Sequence, residues 1–342
     1  MPLTRRRLIA AGTAAGAISL ASLDGKALAS SAFEAAKAYS AAARGISFLV
    51  VQDGAVIAED YPNGGAATRP HELASGTKSF CGVLAAALVQ DRLLTLDEHC
   101  AETLPEWRQD PTKTAATIRT LLTLTSGIAG GDRGRPPTYA ASLESPVIAA
   151  PDTVFRYSGG PFQVFGEIVR RKLVADGRSN NVYNYMSERL LDPIGIRPGG
   201  WTRQEDQPNL PSGARLTAQD WARFGGFVMG GGRLNGVPLV DPDALAACFA
   251  GTRMNPGYGL TWWLLRPGLV PPSPFGALTG LPGEFDGLPD VRMAAGAGNQ
   301  RLYLIPERNT VVVRQAAGIM EAVSGQRAHW SDAEFLRLLP AR

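Results

Sequence analysis

Both ends of this chain read as strands and the long middle reads as helix, and that arrangement constrains the fold more than any other feature. Near the N-terminus, ISFLVVQDGAVIAEDY (46–61) holds two β-branched apolar runs around Gln52-Asp53-Gly54, a hairpin signal. Near the C-terminus, YGLTWWLL (258–265), VRMAAGAG (291–298), RLYLIP (301–306) and TVVVRQ (310–315) read as strands, the last two flanking the turn Glu307-Arg308-Asn309. From Ser75 to about residue 250 the apolar spacing is helical. Phe80, Val83, Leu84, Ala87 and Leu88 make one stripe, and Thr95 to Glu98 (TLDE) fits a capping box opening a short helix. Residues 31–45 read as a helix closed by Gly45, and 117–127 as one closed by Gly127. PFQVFGEIVRRKLVADG (161–177) has Pro161 at a plausible first helical position and Gly177 as terminator. LTAQDWARFGGFVMGGG (216–232) and SDAEFLRLL (331–339) complete the helices. The economical architecture is an α+β sandwich: one antiparallel sheet built from both chain ends, flanked by helices, with a helical region over about 79–250 inserted between them.

The first 29 residues stand apart. Thr4-Arg5-Arg6-Arg7-Leu8-Ile9, a short Ala/Gly-rich apolar middle and Ala27-Leu28-Ala29 fit a twin-arginine export signal, with an ordinary Sec signal or an uncleaved anchor as the plainer readings. Cleavage after Ala29 would leave one domain, 30–342, in the periplasm or outside the cell. The net charge of +3 is carried without any Lys/Arg run, which speaks against a nucleic-acid surface. Cys81, Cys100 and Cys248 form no CxxC and no Cys/His cluster of zinc spacing, so no metal or other cofactor is expected. Cys81 falls in an apolar helix pattern, where buried packing is the plain reading, and one disulfide stays open.

Chemistry concentrates at HELASGTKSF (71–80). Ser75 and Lys78 are one helical turn apart on one face, and no other Ser-x-x-Lys occurs in the chain. A serine at a helix start has an unpaired backbone N–H beside its hydroxyl and a dipole that favours negative charge. Burial would depress the lysine pKa and make it a base for that serine, with a tyrosine to pass the proton on. The bland alternative is a capped helix start followed by a surface lysine. No Gly-x-Ser-x-Gly elbow, HExxH or Walker loop competes. Of the three histidines, His71 lies nearest to Ser75 and reads as a loop residue before it reads as a base.

Six segments occur in a set order: LASGTKSFCGVLAAALVQDRLLTLDE, ATIRTLLTLTSGI, FRYSGG, GARLTAQDWARFG, YGLTWWLL and AAGAGNQRLYLIPERNTVVVR. Together, over about 45–318, they resemble the serine β-lactamase-related family, which holds class C β-lactamases, D,D-peptidases, esterases and 6-aminohexanoate-dimer hydrolases. The resemblance implies a β-lactamase/transpeptidase-like fold. It also implies Ser75 as acylated nucleophile, Lys78 as its activating partner and Tyr157 as the second-motif tyrosine that moves the proton to the leaving group. The backbone N–H groups of Ser75 and Ala297 would form the oxyanion hole, and Gly159, Gly296, Asn299 and Gln300 would line the substrate.

Two departures stand out. The second motif reads Tyr157-Ser158-Gly159 where the family usually has Tyr-x-Asn. The third reads Ala295-Gly296-Ala297 where a basic residue, Thr/Ser and Gly are usual. A site without those groups forfeits charge-assisted hydrogen bonds of about 1.5–3 kcal/mol each. The balance moves toward the esterase and amide-dimer branch, with a small-molecule ester or amide as the only partner. A β-lactamase or D,D-peptidase is the alternative, with Arg292 or Arg301 as displaced carboxylate contacts, and a catalytically silent binding module is the second. Trp262 and Trp263 read as packing before substrate wall. The Pro/Gly-rich loops 130–146 and 266–290 are long enough to cover a pocket.

Overall fold

The N-terminal hairpin forms where its turn chemistry says it must. In the computed structural model, which describes residues 32–131, 136–268, 283–326 and 328–341, Gly45–Gln52 (β1) and Ala55–Asp60 (β2) meet at a two-residue turn. Asp53 and Gly54 take φ of 51° and 78° there, the pair of positive values that a type I′ turn requires. The proposed export signal and residues 269–282 of the second long loop lie outside the described residues.

Four C-terminal strands complete the sheet: Trp263–Leu265 (β3), Val291–Gly296 (β4), Gln300–Ile305 (β5) and Thr310–Ala316 (β6). The order is β3-β4-β5-β6-β1-β2, antiparallel throughout, so the last long strand pairs with the first. β3 is shorter than the apolar run suggests. Thr261 takes φ of 70°, which turns the chain just before Trp263.

One face of the sheet carries Ala218–Met229 (α4), capped by the Thr217 side chain and stopped at Gly230. α4 sits close because it has a glycine where it crosses the sheet. A Cβ on Gly225 would lie 2.9 Å from methyl carbons of Leu302, Leu304 and Val311. The opposite face is covered by Glu34–Ala42 (α1) and Asp332–Arg337 (α5) through Phe33, Phe48, Tyr303, Trp330 and Phe335. α1 ends before Gly45, which instead opens β1. Its missing side chain lets the strand pass within 2.4 Å, as a Cβ would sit, of the Ser40 hydroxyl.

Between the two ends lie the helices, among them Ser79–Gln90 (α2) and Gly160–Ala175 (α3). α2 is buried on all sides from Ser79 to Leu88, not along one stripe. An all-apolar helix has that fate when it threads the core. Its Gly82 allows close approach, since a Cβ there would meet Cys248 Sγ and Leu260 O at 2.8 Å. The TLDE segment makes half a capping box, Thr95 N–H to Glu98 at 2.9 Å, but no helix starts there. The helix begins at Cys100 with His99 and Glu102 as its reciprocal cap. The helix expected to run to Gly127 stops at Leu122, because Leu124 takes φ of 60°. All three cysteines are buried and free.

Valine at Gly225 would overpack the α4–sheet contact at a cost of about 1–3 kcal/mol. We expect Gly225→Val to lower the thermal unfolding midpoint by several degrees, read by circular dichroism. An unchanged midpoint would show that α4 is not seated as described.

Candidate active site

Ser75 sits on a turn that its neighbours hold from three sides. A small sheet pairs His71 with Leu216 and Glu72 with Arg215, delivering the chain to Leu73. Ala74 then adopts φ of 46°, a left-handed value that costs a non-glycine residue about 1 kcal/mol or more. The five-residue 3₁₀ turn Ala74–Lys78 follows and runs straight into α2. Thr77 Oγ1 donates to Ala74 O at 2.7 Å and accepts from Ala214 N–H at 3.1 Å, while Ser79 Oγ holds Gly76 O at 2.7 Å. Gly76 lies under Trp221, with room for no Cβ (2.9 Å to the ring).

Neither half of the bland reading of Ser-x-x-Lys survives. Ser75 caps no helix: neither the turn nor α2 has a side-chain cap. Lys78 is not a surface residue; it is 4% exposed. Its Nζ lies 2.9 Å from Ser75 Oγ and 3.0 Å from the Pro211 carbonyl. Among the described residues no carboxylate pairs with it. Two aromatic faces, Tyr157 at 4.9 Å and Phe162 at 5.4 Å, supply the remaining contact. Desolvation therefore dominates and brings the Lys78 pKa down to about 7, with the buried Cys81 thiol a minor opposing influence.

Tyr157 joins the pair. Its hydroxyl hydrogen-bonds with Ser75, and burial holds the phenol above its ordinary pKa, so it stays protonated. Its ring stacks on Trp263 (5.6 Å, 26°) and meets Tyr258 edge-on (6.1 Å). Trp263 is thus a backing plate for Tyr157, and Trp262 packs in the core against Phe224 and Phe249. Among the described residues, the buried hydroxyls of Tyr258 and Ser158 beside Tyr157 have no hydrogen-bond partner. The Pro211 carbonyl was not marked by any motif, because it acts through its backbone, and Tyr258, although it opens the YGLTWWLL segment, carried no role of its own there.

The third motif comes to the same place. β4 passes so close to the Ser75 turn that a Cβ on Gly296 would lie 2.0 Å from Leu73 O and 3.1 Å from Gly76 N. Half-exposed Ala297 follows, and Gly298 and Asn299 take φ of 72° and 63° to turn the chain into β5. The other expected substrate residues separate. Gly159 is buried, and a Cβ on it would meet Gly131 O at 3.0 Å and Pro136 at 3.3 Å, so backbone from the first long loop occupies the space of the usual asparagine. Asn299 is half-buried and offers its carbonyl to Arg314 at 2.7 Å.

Gln300 faces no ligand: it is fully buried, and its amide bonds Ala316 O at 2.7 Å and Ala316 N–H at 2.9 Å. Arg292 lies four residues, about 13 Å of strand, before Gly296 with its guanidinium over Phe249. Arg301 is 1% exposed and faces Asp332. Neither offers a displaced carboxylate contact. His71 Nε2–H donates to Ala316 O at 2.8 Å, a tie between two sheets.

The chain matches the model of the family described as Beta-lactamase over residues 29–333. No curated protein matches it significantly. Solved structures share the fold. A protein provisionally named a 6-aminohexanoate-dimer hydrolase, from Bacillus anthracis, is 20% identical, with a TM-score of 0.63 over 84% of this chain and 79% of that one. A penicillin-binding-protein homologue from Caulobacter crescentus is 19% identical, with a TM-score of 0.62 over 89% and 96%. A class C β-lactamase from Rhodobacter sphaeroides is 18% identical, with a TM-score of 0.58 over 87% and 97%.

A buried lysine with a depressed pKa is a liability to the fold. Between about pH 7 and its ordinary 10.5, the unfolded chain holds a proton that the folded protein lacks. Stability attributable to Lys78 is therefore lowest below about pH 7 and recovers as pH rises toward 10. We expect Lys78→Met to raise the unfolding midpoint, most at pH 6 and least at pH 9.5. A midpoint lowered at both pH values would mean that the lysine's hydrogen bonds outweigh its desolvation.

Proposed function

The chain belongs to the Beta-lactamase family of serine hydrolases, and from that premise we propose that it cleaves small esters or amides through a covalent acyl-enzyme on Ser75. The observation that carries this reading is the Lys78 amine: buried, without a carboxylate partner among the described residues, and 2.9 Å from the Ser75 hydroxyl. With a pKa of about 7, much of it is neutral at neutral pH and able to accept a proton.

In the first half-reaction Ser75 Oγ forms a bond to the substrate carbonyl carbon as its proton moves to Lys78 Nζ. The N–H groups of Ser75 and Ala297 stabilise the oxyanion. As the tetrahedral species collapses, Tyr157 gives its proton to the leaving oxygen or nitrogen and takes one from the lysine ammonium. The acyl group stays on Ser75. In the second half-reaction water attacks that ester, its proton passes to Lys78, and the acid departs as Ser75 regains its hydrogen. The high pKa of Tyr157 suits a relay that never rests as phenolate.

Substrate class follows from what the second and third motifs lack. Ala295 brings no charge, and the backbone of Gly131 stands where an asparagine amide would reach. A substrate without a carboxylate beside the scissile bond is the better fit, which favours esters and simple amides over penicillins and D-Ala-D-Ala peptides. Gly130 and Gly131 of the first long loop close on Gly159 and Gly160, and Gly160 N–H bonds Gly130 O at 2.8 Å, which supports that loop as a wall of the site. The N-terminal twin-arginine pattern supports export of the enzyme to the periplasm or beyond.

Two outcomes test the proposal. Hydrolysis of short-chain p-nitrophenyl esters or of a linear 6-aminohexanoate dimer should fall by roughly 10³-fold or more in Ser75→Ala. Equal turnover in wild type and variant would remove Ser75 as nucleophile and leave a binding module on this fold, while efficient nitrocefin turnover would return the enzyme to the β-lactamases. Separately, kcat/KM for the ester should climb with pH through about 7 as Lys78 loses its proton and then level off. A flat profile from pH 5.5 to 9 would exclude Lys78 as the base.

A further inference from the structure

We propose that Arg301 is a positioning residue of the oxyanion hole, polarising from behind the single peptide unit that joins Gly296 to Ala297. This rests on the reading of Ala297 N–H as an oxyanion donor. The carbonyl of Gly296 and the N–H of Ala297 are the two ends of one planar amide. Arg301 Nη1 donates to that carbonyl at 3.2 Å and to Gln300 O at 3.0 Å. A cation on the oxygen draws electron density along the amide and leaves its N–H a stronger donor, as in any cooperative hydrogen-bond chain.

The arrangement is built, not incidental. Arg301 is held by Asp332 on two bonds, Nε to Oδ1 at 2.7 Å and Nη2 to Oδ2 at 3.2 Å. Asp332 is fixed in turn by the Tyr303 hydroxyl and by Trp330 Nε1 at 3.1 Å. Directly across the sheet from Arg301 stands Arg314, also fully buried. Among the described residues Arg314 has no ion pair. It bonds Asn299 O at 2.7 Å and Ser40 Oγ at 3.1 Å, and lies over the Trp330 ring.

Two guanidiniums thus lie beneath the turn 296–300, only Arg301 paired with the Asp332 carboxylate, and the Nη1 of each points at carbonyls of the turn. A buried ion pair alone adds little to stability. A net positive charge aimed at one turn's carbonyl oxygens has a use there. The strand register sharpens the point, because Arg301 is the partner of Ala295, the position where the family usually has its basic residue. The charge has moved one strand over, behind the peptide, where it strengthens the oxyanion donor for any acyl group and recognises none.

The test pairs Arg301→Gln with Asp332→Asn, which removes both charges and leaves neither buried ion alone. Active sites are counted by fluorophosphonate titration of Ser75, so that misfolded protein drops out. Per titrated site, we expect kcat for p-nitrophenyl acetate to fall about 10-fold, less than the loss of an oxyanion donor outright. KM should change little. The affinity of phenylboronic acid, which forms a tetrahedral anion on Ser75, should fall by the same factor as kcat. Unchanged kcat and boronate affinity, with only a lower unfolding midpoint, would overturn the inference. If the double variant yields no titratable serine, Arg301→Lys carries the test with the same expectation, since one ammonium cannot span Asp332 and Gly296 O. Ala297→Pro, which deletes the N–H, separates the two levels. Full turnover in that variant would sink the oxyanion reading itself, whereas its loss beside an intact double variant would sink Arg301 alone.

Discussion

The site depends on keeping one lysine out of water. An amine on a four-carbon stem normally reaches solvent; here α2 enters the core at once, and Lys78 enters with it. The apolar length of α2, from Phe80 to Leu88, anchors the turn above it, and the Pro211 carbonyl and the faces of Tyr157 and Phe162 close the rest. The absence of a carboxylate partner matters as much as the burial. An Asp or Glu within about 4–6 Å would restore the ammonium and end its use as a base. The left-handed Ala74 and the buried hydroxyls of Ser158 and Tyr258 are local costs of the same arrangement, offset by the surrounding core.

The sheet was legible in the sequence wherever local chemistry and global fold agree. Asp53-Gly54 permits one tight turn and makes it; Thr217 and Pro161 start helices where cap and ring geometry say they should. Reading failed where tertiary contacts override local signals. Thr95 to Glu98 has the letters of a capping box, yet the chain turns and starts its helix at Cys100. Gly45 resembles a helix stop but is a strand residue with no space for a side chain. At the site, Ser75, Lys78 and Tyr157 were visible as an ordered set. Gln300 was misread because its position beside the third motif is right while its side chain points into the sheet. The carbonyl of Pro211 left no trace, since a backbone atom has no letter of its own.

The departures in the second and third motifs also acquire a physical meaning. At Gly159 a polar side chain has given way to backbone, because the Gly130–Gly131 segment packs into its space. Ala295 carries no charge, while two buried guanidiniums stand on the neighbouring strands beneath the turn. Both positions thus lack the polar side chains usual in the family, and backbone or buried charge stands near them instead.

The pairing of the first strand with the last has a consequence for the life of the chain before release. Arg314 reaches Ser40 across 274 residues, and Asp332 stands close to the C-terminus. Contacts of such separation form late, after the closure entropy of the whole intervening chain has been met. During translation the serine and its lysine are made before the turn that faces them, and the strand β6 and the counter-ion Asp332 that hold that turn are made later still. A growing polypeptide therefore carries its serine and lysine well before it can complete the wall that faces them.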